Sequence, residues 1–306
     1  MRADRGNPGI VPEWYELPTF YFSNPHAVVG PGEPVAIPAG CSRLDYELEV
    51  GIIIGTPGSN IRPEDGLSHV FGLTILNDWS ARDIQGREMK VGLGPAKGKD
   101  FANTIGPVLV TMDEFAGRID ADGFLDLGMA VAVNGVETGR DLLSNMGWPI
   151  GDLVAYASRE TWVHPGDLLG SGTCGNGGCL AELWGRSGGL DPRPLVAGDV
   201  VTMWVEGIGR ISTSVVEGRD VPGPVRVQLV GDHRQRRPGR SVRVRDAGAG
   251  PQERLHPDLR HHPARPESPV PEAADRGHAG RGNAARRHHR AGRDRPASAE
   301  RRRGAC

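Results

Sequence analysis

Cysteine is scarce and unpatterned in this 306-residue sequence. Cys41, Cys174, Cys179 and Cys306 form no paired framework, which argues against a disulfide-stapled secreted scaffold and fits a reducing compartment. Long hydrophobic runs are missing too. The apolar stretches are strand-sized, far short of the ~20 residues that a membrane span needs. Met1 to Pro12 is polar and glycine-bearing, unlike a secretory leader, so a cytoplasmic location with no membrane partner is the expectation. Lysine is absent after Gly231: Asp232 to Cys306 holds 19 arginines and 9 acidic residues, a balance of +10, whereas the preceding 231 residues hold 17 basic and 29 acidic ones, a balance of −12. The overall −2 therefore sums two unlike parts.

The acidic body is unsuited to non-specific binding of nucleic acid or anionic membrane. The tail is dominated by Arg, Pro, Gly and His, with few apolar residues beyond alanine. It buries too little surface to offset its ordering entropy, and disorder is expected of it. No aromatic residue interleaves its arginines to stack on bases, so nucleic acid is not the expected partner. The abrupt shift is also what an out-of-frame read of a GC-rich gene gives.

What is present centres on Arg43 to Ile54. This run reads as a buried strand in which Glu47 and Glu49 share one face, while Tyr46, Leu48 and Val50 point the other way. Two like charges entering an apolar run favour the neutral form unless something positive sits between them, and a hard divalent cation is the simplest answer. A strand with one wet face and two solvated glutamates is the alternative.

Thr19 to Phe22 reads as a short aromatic strand after an arm at 1–18. Ile61 to Asp65 starts a short helix, and Val70 to Leu76 is a second apolar strand that Asn77-Asp78 ends. Ser80 is placed to cap a helical turn through Arg82, Asp83, Gln85 and Glu88. Gly92 to Asp100 lacks the glycine and Ser/Thr positions of a phosphate loop. It is either a glycine-rich loop delivering one or two lysines or a solvated turn. Phe124 to Asn134 leads into the hairpin signal Asn134-Gly135, and Leu142 to Ala157 looks helical. Gly170 to Cys179 contains G-x-G-x-x-G, but Leu180 to Gly185 reads as a short strand rather than the long helix of a dinucleotide site. Cys174 and Cys179 have no nearby His or Cys partners for zinc, and Glu182 sits in an apolar run, a costly place for an idle carboxylate. A last hairpin over Gly198 to Val216 closes a β-rich α+β domain.

Asp45-Tyr46-Glu47-Leu48-Glu49, Leu76 to Gln85, Gly98-Lys99-Asp100-Phe101, Gly166 to Thr173 and Val205 to Gly209 resemble, in order and approximate spacing, the fumarylacetoacetate hydrolase family. The resemblance implies a rolled, mixed β-sheet catalytic domain of the fumarylacetoacetase C-terminal type over 19–221, followed by a linker and tail at 222–306. It implies a homodimer binding Mg²⁺, with Mn²⁺ or Ca²⁺ as alternatives, and a small keto-acid substrate. Carried over by position, Glu47, Glu49 and Asp78 are metal ligands, Arg82, Gln85 and Thr173 face substrate, and His26, Glu182 and Lys99 are catalytic. Thr19 stands where long members have an acidic ligand, and no tyrosine lies near Met89. The implied activity is metal-dependent hydrolysis of a carbon–carbon bond in a β-diketo acid, with oxaloacetate-type decarboxylation or hydroxydienoate isomerisation as the family's alternatives. A non-catalytic binding protein on this fold is the remaining reading.

Overall fold

The computed structural model describes residues 11–222. The tail expected to be disordered and nearly all of the linker before it lie outside the described residues, as do the first ten residues of the arm. In chain order the strands begin with Val28–Val29 (β1), Val35–Ala36 (β2), Leu44–Asp45 (β3), Leu48–Ile54 (β4), Gly58–Ser59 (β5), Val70–Asp78 (β6) and Ser80–Ala81 (β7). Helix Arg82–Glu88 (α1) precedes Asn103–Ile105 (β8), Val110–Thr111 (β9), Gly128–Val133 (β10) and Val136–Leu142 (β11). Helix Ile150–Ala157 (α2), Trp162–Val163 (β12), Leu168–Gly170 (β13), helix Leu180–Ser187 (α3), Val200–Val205 (β14) and Gly209–Val216 (β15) complete the domain.

Two mixed sheets share one core. The first runs β1-β8-β6-β4-β13, with β9 also on β6; the second runs β11-β10-β14-β15-β2. Only β1–β8 and β15–β2 are parallel within them. β4 and β6 are buried along almost their whole length because neighbours cover both faces, which is why they read as near-continuous apolar runs. Leu48, Val50, Ile52, Leu73 and Ile75 pack there with Met129, Met203 and Val205 from the second sheet and with Leu127 just before it, each stabilising by about 1.5–3 kcal/mol on burial. β14 and β15 alternate buried with exposed positions, as a sheet with one open face does. The Asn134-Gly135 hairpin takes positive φ at both residues, 52° and 81°, the geometry of a tight two-residue turn.

Several local expectations need correction. The strand expected to run unbroken from Arg43 divides at Tyr46-Glu47, opposite Trp79, where β6 gives way to β7. At the break the Asn77 side chain substitutes for a strand partner, its Oδ1 accepting from the Glu47 N–H at 3.1 Å. Thr19 to Phe22 forms no strand. Ser80 lies in β7 and does not cap α1, which starts without a side-chain cap; its hydroxyl donates to the Asp78 carbonyl. The helix expected over Leu142 to Ala157 begins only at Ile150, after Pro149. Leu180 to Gly185 is helical, not a strand: Leu180, Leu183 and Trp184 share a helical face, and Glu182 pairs with Arg186 one turn on. β13 is nevertheless antiparallel to β4, so the glycine-rich run opens no parallel βαβ unit. Among the described residues, no helix is long and apolar enough to cross a membrane.

Candidate metal centre

Antiparallel pairing of β4 and β6 assembles the site. Leu48 stands opposite Asn77 and Glu49 opposite Leu76, and the Asp78 N–H donates to the Glu47 carbonyl at 3.2 Å. Glu47 and Asp78 therefore sit across from each other, and Glu49 follows two residues along on the same face as Glu47. All three carboxylates are buried, and one oxygen from each lies within 4.8 Å of the others.

Lys99 closes the cluster. Its buried ammonium donates to Asp78 Oδ2 at 2.9 Å and also to Glu47 Oε2. The loop that delivers it is organised by Glu88, at the end of α1, whose carboxylate accepts the backbone N–H groups of Ala96, Lys97 and Gly98 at 2.9, 2.8 and 3.0 Å. Lys97, the loop's other lysine, stays at the surface on Asp100. The Tyr21 hydroxyl donates to Asp78 Oδ2, and the Lys99 ammonium lies 5.6 Å from the centre of the Tyr21 ring.

Arg82, expected to face substrate, is engaged by three side chains of the site. Its Nε donates to Asp45 Oδ2 at 2.8 Å, Nη2 to Glu47 Oε1 at 2.7 Å and Nη1 to Gln85 Oε1 at 3.2 Å. Asp45, fully buried, also accepts the N–H groups that start α3, Leu180 at 2.7 Å and Ala181 at 3.0 Å. Burial pushes the Asp45 carboxyl up, yet its two oxygens face three N–H donors and so hold the anion.

Charge balance then decides what the centre is built for. Asp45, Glu47, Glu49 and Asp78 bring four carboxylates, and Arg82 and Lys99 bring two cations, leaving a deficit of two positive charges. Burial opposes ionisation of Glu47, but Arg82 and Lys99 outweigh it and hold the group down at about 2. Among the described residues Glu49 forms no ion pair; burial, then Asp78 and Glu47, outweigh the more distant Lys99 and drive it well above the usual range. Asp78 is also raised, burial outweighing Lys99, and its Oδ1 is buried without a hydrogen-bond partner among the described residues. An orphaned carboxylate oxygen, an all-oxygen donor set and a missing charge of two fit one hard divalent ion.

Loop 170–180 lies against this cluster. The Gly172 N–H donates to Glu49 Oε2 at 3.2 Å, and a Cβ on Gly170 would sit 2.5 Å from that oxygen. Thr173, half-buried, follows directly. The structure does not join His26 and Glu182 in a hydrogen bond. The His26 ring is exposed on the 3-10 turn Pro25–Ala27, where, among the described residues, only its backbone N–H is engaged, by Asn24. Glu182 is taken by Arg186 at 2.5 Å and by the Gly177 N–H at 2.8 Å. Among the described residues Cys174 and Cys179 are free thiols, burial pushing each up to about 12. Sequence reasoning missed Tyr21 as a contact of the cluster, Asp45 and the loop-holding Glu88. Of these, Asp45 carried a signal, since it shares strand parity with Glu47 and Glu49.

A family model described as fumarylacetoacetate (FAA) hydrolase C-terminal matches residues 5–216. An uncharacterized protein of Pyrococcus abyssi (strain GE5 / Orsay) is 32% identical over 203 residues, covering 66% of this chain and 80% of that one. A mitochondrial oxaloacetate tautomerase of Xenopus laevis is 34% identical over 192 residues, which are 62% of this chain and 55% of the frog protein; the chain thus spans about half the length of that relative. Among solved structures, fumarylpyruvate hydrolase from Pseudomonas aeruginosa in complex with Mn²⁺ and pyruvate aligns with a TM-score of 0.55 at 27% identity, over 68% of this chain and 82% of that one.

Proposed function

The chain belongs to the fumarylacetoacetate hydrolase family, and we propose that it is a metal-dependent hydrolase cleaving a carbon–carbon bond in a small β-diketo acid such as an acylpyruvate, in small-molecule or aromatic catabolism. The observation that carries this reading is the buried cluster with its deficit of two positive charges and its orphaned Asp78 Oδ1. A divalent ion held by Glu47, Glu49 and Asp78 would supply Lewis-acid polarisation of keto-acid oxygens. Mg²⁺ is the ion proposed, and Mn²⁺ or Ca²⁺ would satisfy the same donors. The Mn²⁺ and pyruvate bound by the Pseudomonas enzyme support a ligand of this chemistry.

In this proposal Lys99 places a fixed positive charge where enolate charge builds as the bond breaks. Gln85 and Thr173 orient the substrate from α1 and from the glycine-rich loop. His26 takes a proton from water so that hydroxide attacks the distal carbonyl, a step for which a positioned base contributes about 10²–10⁴-fold. Arg82 acts through Glu47 rather than on substrate. A homodimer is proposed with this activity and is read directly by light scattering.

A second reading is keto–enol tautomerisation or decarboxylation of a β-keto acid. It is favoured by the exposed His26 and the Glu182 already held by Arg186, since neither reaction requires a water-activating pair. The frog relative's name, an oxaloacetate tautomerase, supports it. A purely non-catalytic binding protein is disfavoured by the cost of keeping four carboxylates and two cations out of water.

Steady-state assays of the parent and of His26→Ala on an acylpyruvate and on oxaloacetate test the proposal. The parent should release pyruvate from the acylpyruvate, and His26→Ala should lose most of that activity. Absence of cleavage in the parent, with oxaloacetate turnover indifferent to His26, would replace the first reading by the second.

A further inference from the structure

We infer that Asp45 is a positioning residue that sets the metal cluster through Arg82. The inference rests on the reading that Glu47 belongs to a divalent-ion site. Asp45 lies on β3, fully buried, and its contacts divide into two kinds. The N–H groups of Leu180 and Ala181 ask only for an acceptor at the start of a helix, which neutral side chains also provide. The third contact, Arg82 Nε at 2.8 Å, is between charges.

Nε and Nη2 project from a rigid planar guanidinium, so fixing one fixes the other. Asp45 holds Nε, and Nη2 then meets Glu47 Oε1 at 2.7 Å. Glu47 is gripped on its other oxygen by Lys99. Its carboxylate plane is thus set by two cations, and one of them is itself set by Asp45. The same carboxylate pins the end of loop 170–180, whose beginning touches Glu49 through Gly172. One buried side chain therefore ties the ligand on the broken strand to the loop that borders the ligand on β4.

Asn at position 45 has a single acceptor oxygen. It either faces Arg82 and turns its amide toward the Leu180 N–H, or serves the helix and turns its amide toward Arg82. In both cases the charge that holds Nε is gone. Titrating Mn²⁺ by calorimetry into the chelator-stripped full chain tests this on the parent, Asp45→Asn, Arg82→Lys and the double variant, with thermal unfolding recorded beside each. Loss of an outer-shell partner weakens metal binding by roughly 10–100-fold, and that is the expected result for each single variant. Because both act through the same guanidinium, the double variant should bind no worse than the weaker single one. If Asp45 merely caps α3, Asp45→Asn melts lower but binds Mn²⁺ like the parent, which overturns the inference. Losses that multiply in the double variant also overturn it. Should Asp45→Asn fail to fold, Arg82→Lys decides alone, parent-like affinity being the contrary result. A parent chain that takes up no Mn²⁺ overturns the metal reading and this inference together, whereas a binding parent with indifferent variants sinks only the inference.

Discussion

Glu88 and Gly98 are joined at 3.0 Å, and with the Ala96 and Lys97 N–H groups on the same carboxylate the loop before Lys99 is fastened to the end of α1. The buried ammonium therefore has its position set from outside the cluster. Glu88→Ala should cost roughly 1–3 kcal/mol of stability by leaving three N–H donors without their acceptor. It should also lower turnover more than substrate affinity, because Lys99 loses its mount. Urea denaturation and steady-state kinetics read both quantities; an unchanged kcat would mean that the loop holds Lys99 without Glu88.

Removing the ammonium itself has a conditional effect. Lys99→Met leaves Glu47 and Asp78 facing each other without their shared cation, and breaking a buried pair in this way costs about 3–5 kcal/mol. A divalent ion supplies the missing charge, so the variant's melting temperature should fall steeply in chelator and recover with added Mg²⁺ by more than the parent's rises. Equal responses of parent and variant to Mg²⁺ would contradict the shared-charge account.

Glu49→Gln removes the carboxylate that forms no ion pair among the described residues. Metal uptake and activity should vanish together, while the chelated variant should be at least as stable as the chelated parent, because burial and its acidic neighbours already disfavour the Glu49 anion. In the parent, an ion at a hundred times its Kd should stabilise by about 2.7 kcal/mol. Full activity after exhaustive chelation would remove the ion from the reaction.

Away from the site, Asp199 receives Arg193 at 2.7 and 2.9 Å, Asn134 Nδ2 at 2.8 Å and the Val196 N–H at 2.8 Å. The hydrogen-bonded Arg193 guanidinium, chiefly, holds this carboxyl well below the usual range. A depressed folded value means that the group's stabilisation is complete above the unfolded value of about 3.9. It fades as the pH drops through the lower folded value. The gap in urea midpoint between the parent and Asp199→Ala should accordingly be wide at neutral pH and narrow in acid. A gap that does not change with pH would assign the stability to packing instead.

The parts of the fold that read correctly were those written in local period. The alternation of Glu47 and Glu49, the end of β6 at Asp78 and the Asn134-Gly135 turn are each set by neighbours in sequence. The errors arose where a distant partner decided. Leu180 to Gly185 is short enough to pass for a strand, and the carboxylate that meets its first N–H groups comes from Asp45. Nothing local to Arg82 indicates that Asp45 and Glu47 surround it. Tyr21 carries no local sign of reaching Asp78; the ion pair of Glu182 with Arg186, by contrast, lies one helical turn away and is legible in the spacing.

The approach of Gly170 to Glu49 has a consequence for which sequences the position tolerates. With the acidic oxygen 2.5 Å from where a Cβ would stand, even alanine must displace either the strand or the carboxylate. Randomising codon 170 and sorting clones for retained ion uptake should return glycine nearly alone, while the same library at exposed Gly172, where a Cβ meets nothing within 4 Å but φ is +81°, should also admit asparagine. Two glycines two residues apart in one motif would then be held there by different selections, one by lack of room and the other by the turn of the backbone.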